Sequence, residues 1–397
     1  MLSEKAKHLT PSLTLGISTK VKELKAQGLS ILDLSIGEPD FMTPQAAKNG
    51  GIYAIEHNKT KYDAAMGNLE LRKAIVHKLK NENNLDYAAG DIVVTSGAKH
   101  AITNALMAIT NPGDEVLVPV PYWVSYPEMV KLTGCTPVFV ETTVANSFKL
   151  TLEDLKAAIT PKTKAIFLTN PSNPTGVVYT KEELAPLVAY LVSQNIMILA
   201  DEIYERICYL DTYTSVASLS KEAKEMTITI NGTAKSLAMT GWRIGYTAST
   251  PEIATAMGSI QGHLVSHPST ISQHAALEAM KHCEPDIQEM VKVYRTRRDR
   301  ALELISGISE LSVVKPDGAF YVFINISSLS GKLPGESLSM ALCDELLVKH
   351  QVAFVPGIAF GNDHFIRMSY ATDLATIEEA LTRLKTCVQG ICGTIVG

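Results

Sequence analysis

The chain carries no long basic block: 36 Lys and Arg stand against 41 Asp and Glu, a net charge of −5 over 397 residues. The electrostatic footprint demanded by nucleic acid is therefore missing. No uninterrupted apolar run approaches the length that crosses a bilayer. The first residues, Met1–His8, are charged from the start and lack the apolar centre of a signal peptide. Six cysteines at 135, 208, 283, 343, 387 and 392 are scattered, with no CxxC pair and no histidine spacing suited to zinc. They read as reduced thiols in a cytoplasmic protein without a metal site. At the turn Thr95–Ala98 both the GxxxxGK[ST] phosphate loop and the GxGxxG dinucleotide fingerprint are absent. No internal repeat or low-complexity segment occurs.

What is present is the composition of an ordinary globular enzyme, 46 % hydrophobic and 19 % charged, and a chain too long for one core. Ser18–Gln27 reads as a helix, Leu29–Ser35 as a strand, and Thr43-Pro44 as a helix N-cap with proline in the first turn. From Asp91 short apolar runs alternate with helical stretches: 92–95, 115–120, 137–141, 164–169, 196–200, 227–230 and 244–248. This rhythm predicts an α/β fold, a mostly parallel sheet covered on both faces by helices. After Pro285 a long charged helix, whose run Arg295–Arg300 reads as a solvated face, leads into antiparallel-looking strands of a smaller α+β domain. The expected division is an arm with part of the small domain (1–45), a large domain (46–290) and a small C-terminal domain (291–397).

In parallel sheets ligands collect at the carboxyl ends of strands, and the chemically capable residues stand there. Thr95-Ser-Gly-Ala98 leads a strand into a helix, so its N–H groups and the Ser96 hydroxyl can cradle an anion; a plain tight turn is the alternative. Asn173 sits in a loop stiffened by two prolines. A five-residue apolar strand delivers Asp201, with Tyr204 just beyond; a carboxylate there is costly unless paired, or it caps the next helix. Lys235 follows the run 226–230, and Arg243 comes eight residues later. A lysine for an imine, an arginine and small turn for a phosphate, and an aspartate for a cationic ring nitrogen form the set that pyridoxal phosphate requires.

Six segments, Leu34–Asp40, Tyr122–Met129, Asn173–Gly176, Asp201–Tyr204, Ala234–Gly245 and Arg367–Ala371, carry a resemblance in order and spacing over nearly the whole chain. The sequence resembles the fold-type I pyridoxal-phosphate aminotransferases, within them the bacterial aspartate and aspartate/prephenate subgroup. The resemblance implies amino-group transfer between L-aspartate and 2-oxoglutarate by ping-pong half-reactions through pyridoxamine phosphate. It implies that Lys235 holds the coenzyme and moves the proton, that Asp201 pairs with the ring nitrogen, and that Asn173 and Tyr204 hold the ring hydroxyl oxygen. Trp123 is to stack on the ring; Ser96, Gly97, Ala98 and Arg243 are to bind the phosphate. Tyr62 is to reach the phosphate of a neighbouring subunit, making the active unit a homodimer with shared sites. Arg367, beside the Gly37 backbone, is to clamp the substrate carboxylate, with Trp123 and Asn173 also facing the substrate.

The chain departs from the family twice. Gly232 stands where many members carry a phosphate-binding serine, leaving Thr233 as a substitute. No arginine lies between Arg243 and Arg295, where others read the distal carboxylate. The subgroup uses a lysine at the position of Lys99, with Ser12 and Thr14 as accessory contacts, and His263 falls near the missing arginine. A lysine selects geometry less sharply than an arginine fork, so aromatic or prephenate-type partners join the expected substrates. An aminotransferase of other specificity and, more remotely, a ligand sensor without catalysis are the alternatives. The sensor is disfavoured by the short, non-basic arm.

Overall fold

The computed structural model describes residues 2–7, 9–11 and 13–393. Among these residues a seven-stranded sheet forms, in the order Ile92–Thr95, Gly245–Ala248, Thr227–Gly232, Met197–Asp201, Thr163–Thr169, Glu115–Val120 and Thr136–Glu141. Five neighbours run parallel, and Gly245–Ala248 alone is antiparallel to both its partners. Side chains alternate between two buried layers: Phe167, Leu199 and Ile228 point to one, Ile166, Leu168 and Ile198 to the other. That period of two, with both faces apolar, is why these segments read as continuous hydrophobic runs.

The register assembles one edge. Thr169 lies opposite Asp201, and Asp201 opposite Ile230. Thr95 and Gly232 each pair with Gly245. Because the strand beginning at Gly245 runs backwards, its amino end meets the carboxyl ends of its neighbours. Ser96, Asn173, Asp201, Lys235 and Arg243 therefore all leave the sheet at the same side.

A second, four-stranded antiparallel sheet comprises Val355–Pro356, Phe365–Ser369, Tyr321–Asn325 and Ser312–Val313. Near it Leu32–Asp33 pairs in parallel with Val352–Ala353. The strand expected over Leu29–Ser35 is thus two residues long, because its partner offers only two and the Ser35 amide and hydroxyl fold back onto Asp33.

Three further expectations are corrected. Thr43 does not cap the helix Gln45–Glu56; Pro44 is the N-cap. The Thr43 hydroxyl instead donates to the Ala238 carbonyl at 2.9 Å and accepts from Trp242 Nε1 at 3.1 Å, tying this turn to the lysine segment. The run Arg295–Arg300 is solvated only in part: Arg295, Thr296 and Asp299 are exposed, but Arg298 is buried and donates to the Pro316 carbonyl at 3.1 Å. Arg297 forks onto Asp40 through two 2.8 Å bonds. The helices Pro251–Leu264 and Thr270–His282 escaped the sequence reading. The second packs on Gln45–Glu56 so closely that a Cβ on Gly50 would lie 2.7 Å from the His274 carbonyl.

Candidate active site

Asp201 ends its strand 3 % exposed. Tyr126 Oη donates to its Oδ2 at 2.6 Å, and the Ile203 N–H reaches Oδ1 at 3.2 Å. Burial, the largest effect, raises its carboxyl above the usual range against these bonds and the Lys235 charge. Among the described residues no cation pairs with this carboxylate within 4.0 Å, and a buried carboxylate so placed calls for one.

The Lys235 amine donates to the Gly37 carbonyl. It lies 5.7 Å from the ring centre of Tyr204 and 5.8 Å from that of Phe320. Burial first, then the positive charges of Arg367 and Arg243, push this amine down to about 8, while Glu38 and Asp201 pull the other way. Glu38 is itself held by the Thr240 hydroxyl at 2.7 Å.

Arg367, 3 % exposed, stands on the second sheet. Its Nη1 donates to Asn173 Oδ1 at 3.1 Å and its Nη2 to the Ser35 carbonyl at 2.9 Å. The guanidinium rests 4.4 Å from the Tyr321 ring centre and 4.9 Å from that of Phe360. Its buried Nε has no hydrogen-bond partner among the described residues. Tyr204 Oη lies 2.9 Å from Tyr321 Oη.

At the turn, Gly97 has φ 87° and precedes the helix Ala98–Ile109 with no side-chain cap. Any side chain there would collide with Arg243, whose Nη2 would sit 2.4 Å from a Cβ. Arg243 adopts the left-handed conformation, φ 56°, and anchors Nη1 on the Thr240 carbonyl at 2.7 Å. An uncapped helix N-terminus with an arginine laid over a glycine is an anion cradle. The Ser96 N–H is not free for it, however, because His100 Nδ1 takes that proton at 3.2 Å. Lys99 Nζ hangs 5.2 Å over the Trp123 ring; burial, then Arg243, lowers its proton affinity.

Gly232 could not carry the family serine in this backbone: a Cβ would fall 2.7 Å from the Ile244 carbonyl. The Thr233 hydroxyl is turned to that same carbonyl at 3.4 Å. Tyr62 stands 91 % exposed, edge-on to His267, and with Thr60, Lys61, His267 and Ser269–Ile271 lines a cleft of about 600 Å³. His263 is exposed in the last turn of its helix. Thr14 lies in the first turn of Leu13–Ala26; Ser12 is outside the described residues. Tyr126, Glu38, Ser35 and Tyr321 were not singled out from sequence. Ser35, Glu38 and Tyr126 lie inside the segments Leu34–Asp40 and Tyr122–Met129 that carry the resemblance, and Tyr321 lies in none of them.

The family model for aminotransferase class I and II matches residues 30–384. The chain belongs to that family. The aspartate aminotransferase of Bacillus sp. (strain YM-2) is 44 % identical over 98 % of this chain and 99 % of its own. The probable aspartate/prephenate aminotransferase of Aquifex aeolicus is 43 % identical with the same coverage. Among solved structures, the Thermus thermophilus aspartate aminotransferase with maleate superposes with a TM-score of 0.92 at 39 % identity, covering 98 % of this chain and 99 % of that one. Relatives named as aminotransferases along their whole length favour the enzyme over the ligand sensor.

This aminotransferase chain has the donor set that pyridoxal phosphate needs: a depressed amine, a buried carboxylate lacking a close cation, and an arginine over an uncapped helix start. The amine gives a first prediction. In coenzyme-free protein, capture of an added aldehyde by Lys235 under borohydride should be half-maximal near pH 8, the value at which half the amine is neutral. Mass spectrometry of the reduced peptide reads it, and a midpoint near the ordinary 10.5 would show that the amine does not feel this environment. The stability linkage has a matching sign. Below about 8 the folded protein bears the full cost of a charged amine, and the cost fades as pH rises toward 10.5.

Proposed function

We propose that this enzyme moves the amino group of L-aspartate to 2-oxoglutarate, reversibly, with pyridoxal 5′-phosphate held by Lys235. One observation carries the reading: the strand register brings Asp201 and the segment leading to Lys235 to one edge of the sheet, where Arg243 lies over Gly97 and Arg367 reaches Asn173. The coenzyme, when bound, supplies an electron sink for the substrate carbon that loses its proton. Lys235 Nζ takes the α-proton and later delivers one, a role suited to an amine that is substantially neutral near pH 8. Asp201 holds the counter-charge for a ring nitrogen, and Tyr126 fixes its orientation.

Ser96, Gly97, Ala98 and Arg243 hold the phosphate, chiefly through the arginine and the helix start. Asn173 and Tyr204 take the ring hydroxyl oxygen and Trp123 covers the ring. Arg367, with Gly37 beside it, receives the α-carboxylate. Lys99 receives the distal one, with Thr14 and Ser12 as accessory substrate contacts, Ser12 lying outside the described residues. Tyr62 serves a second copy of the chain, a cytoplasmic homodimer. Its exposure, with the exposed Ile52, Tyr53, Ile55 and Leu264, supports that contact. The division into 1–45, 46–290 and 291–397 is supported by the separate seven-stranded and four-stranded sheets and by the pairing of Leu32–Asp33 with Val352–Ala353.

Purified protein should absorb in the visible, and L-aspartate should bleach that band with release of oxaloacetate; 2-oxoglutarate should restore it. A coloured protein unmoved by aspartate or glutamate would overturn the substrate assignment. Aromatic or prephenate-type partners are a second reading, favoured by the use of flexible Lys99 as distal cation. For Lys99→Ala we expect KM for aspartate to rise about tenfold, the ~1.4 kcal/mol of one charge-assisted contact. KM for an aromatic amino acid should stay within about twofold, since no distal charge is read. Steady-state assays of both substrates check it.

A further inference from the structure

Behind the sheet edge that carries Lys235 lies a buried polar chain that the reaction does not use. Asn231, one residue beyond Ile230, the register partner of Asp201, employs its amide twice: Oδ1 accepts from the Gly232 N–H at 2.7 Å, and Nδ2 donates to Glu205 Oε1 at 2.7 Å. Glu205 Oε2 accepts from Asn83 Nδ2 at 2.6 Å. Lys78 Nζ pairs with Glu205 and donates to Asn83 Oδ1 at 2.7 Å. The side chains of Lys78 and Glu205 are only 11 % and 4 % exposed.

Other charged groups surround this pair. Glu82 lies 3.8 Å from Lys78 and is shared with Arg206, which also meets Glu284. Glu202 is buried, held by the Ser215 hydroxyl at 2.8 Å and the Val216 N–H at 2.9 Å. Burial, then the neighbouring Glu205, pushes the Glu202 carboxyl well up.

A buried ion pair is a poor source of stability, since apolar residues of the same volume often do as well or better. Its use here is geometric. The chain of bonds ends on the backbone of Gly232, three residues before Lys235. That backbone has no slack: a Cβ on Gly232 would meet the Ile244 carbonyl at 2.7 Å and Gly245 Cα at 2.9 Å. Gly245 in turn abuts the phosphate turn, where a Cβ would lie 2.5 Å from Ala98 N. A shift at Gly232 passes to the lysine segment on one side and to the turn on the other.

We propose that Lys78, Glu205 and Asn231 form a positioning relay that pins the Gly232 amide and so aims Lys235, with Glu205 as its central residue. The proposal rests on Lys235 being the coenzyme lysine. Glu205 touches neither substrate nor coenzyme and acts through Asn231. Orientation errors of this kind cost catalysis more than binding.

The test compares wild-type holoenzyme with Glu205→Gln, Asn231→Ala and the charge-balanced Lys78→Met/Glu205→Gln. Coenzyme content, melting temperature, kcat and KM for aspartate, and the pH titration of the visible band are measured on each. Glu205→Gln should bind coenzyme stoichiometrically, lose about tenfold in kcat with KM within about twofold, and move the band's titration midpoint by about half a unit. Asn231→Ala, which leaves the ion pair intact, should repeat the kinetic and spectral changes. The double variant should recover the melting temperature but not the midpoint. Variants that melt earlier yet keep wild-type kcat and midpoint would overturn the relay and leave a purely structural pair. Wild-type protein without a visible band, or with one that Lys235→Ala leaves unchanged, would instead overturn the reading of Lys235 beneath it.

Discussion

Lys235→Ala is expected to abolish amino-group transfer while leaving the protein folded and able to hold coenzyme. The anion cradle of Gly97 and Arg243 and the Asp201 carboxylate do not pass through Lys235, so non-covalent binding survives. What disappears is the amine that faces Asp201, Arg243 and Arg367 together. With both its covalent and its proton-transfer roles removed, the loss should be on the order of 10⁴-fold or more in kcat. Stability should move the other way at neutral pH in the better-filled Lys235→Met. At pH 7 the wild-type amine, depressed to about 8, is mostly charged and disfavoured by burial and by Arg367 and Arg243. Removing that charge should raise the melting temperature of the coenzyme-free protein, and the gain should shrink as pH climbs above 8. Single-turnover absorbance with aspartate and melting curves at pH 7 and pH 9.5 read the two effects. Wild-type turnover by Lys235→Ala would move the proton-transfer role to another residue.

The site was legible wherever a strand ends in a residue that the strand itself cannot explain. Asp201 closes five apolar residues, and Lys235 follows another apolar strand by five residues from Ile230. Short-range order of this kind survives in one dimension because strand direction alone brings such residues to a common edge. What stayed hidden depends on partners far away in the chain. Tyr126 reads as one aromatic among several until a helix start brings it to Asp201, 75 residues on. Glu38 acquires meaning only from Thr240, 202 residues away.

The same limit explains the misread pieces. Arg298 reads as solvent-facing because charge is normally outside; the Pro316 carbonyl, Asp317 and the Tyr209 ring, all distant in sequence, show why it is buried. The helix Pro251–Leu264 contains Gly258, a weak helix former that the packing tolerates because Met66 fills the space a Cβ would need. Gly232 was taken as a missing phosphate ligand. It is a position where the facing strand leaves no room for any side chain.

Arg367→Ala is expected to have the second largest effect, on binding more than on chemistry. The guanidinium is built into the small sheet with Nη1 on Asn173 and Nη2 on the Ser35 carbonyl, leaving a buried Nε without partner among the described residues. The Tyr321 and Phe360 rings lie against it, and burial lowers its proton affinity with no carboxylate paired to it among the described residues. A fully desolvated cation left without an anion awaits one from outside, and a substrate carboxylate matches it. Truncating one side of such a pair costs about 3–4 kcal/mol, or roughly 10²–10³-fold in kcat/KM. The contact exists before and during reaction, so most of the loss should appear in KM. Asn173 Oδ1 and the Ser35 carbonyl also lose their donor, which should lower stability by about 1–3 kcal/mol. Binding of maleate, a non-reactive dicarboxylate, separates the two consequences. Its affinity should fall by about the factor seen in KM, whereas a variant that is merely less stable would bind maleate normally at temperatures where it is folded. Unchanged maleate affinity in folded Arg367→Ala would remove Arg367 from the carboxylate site.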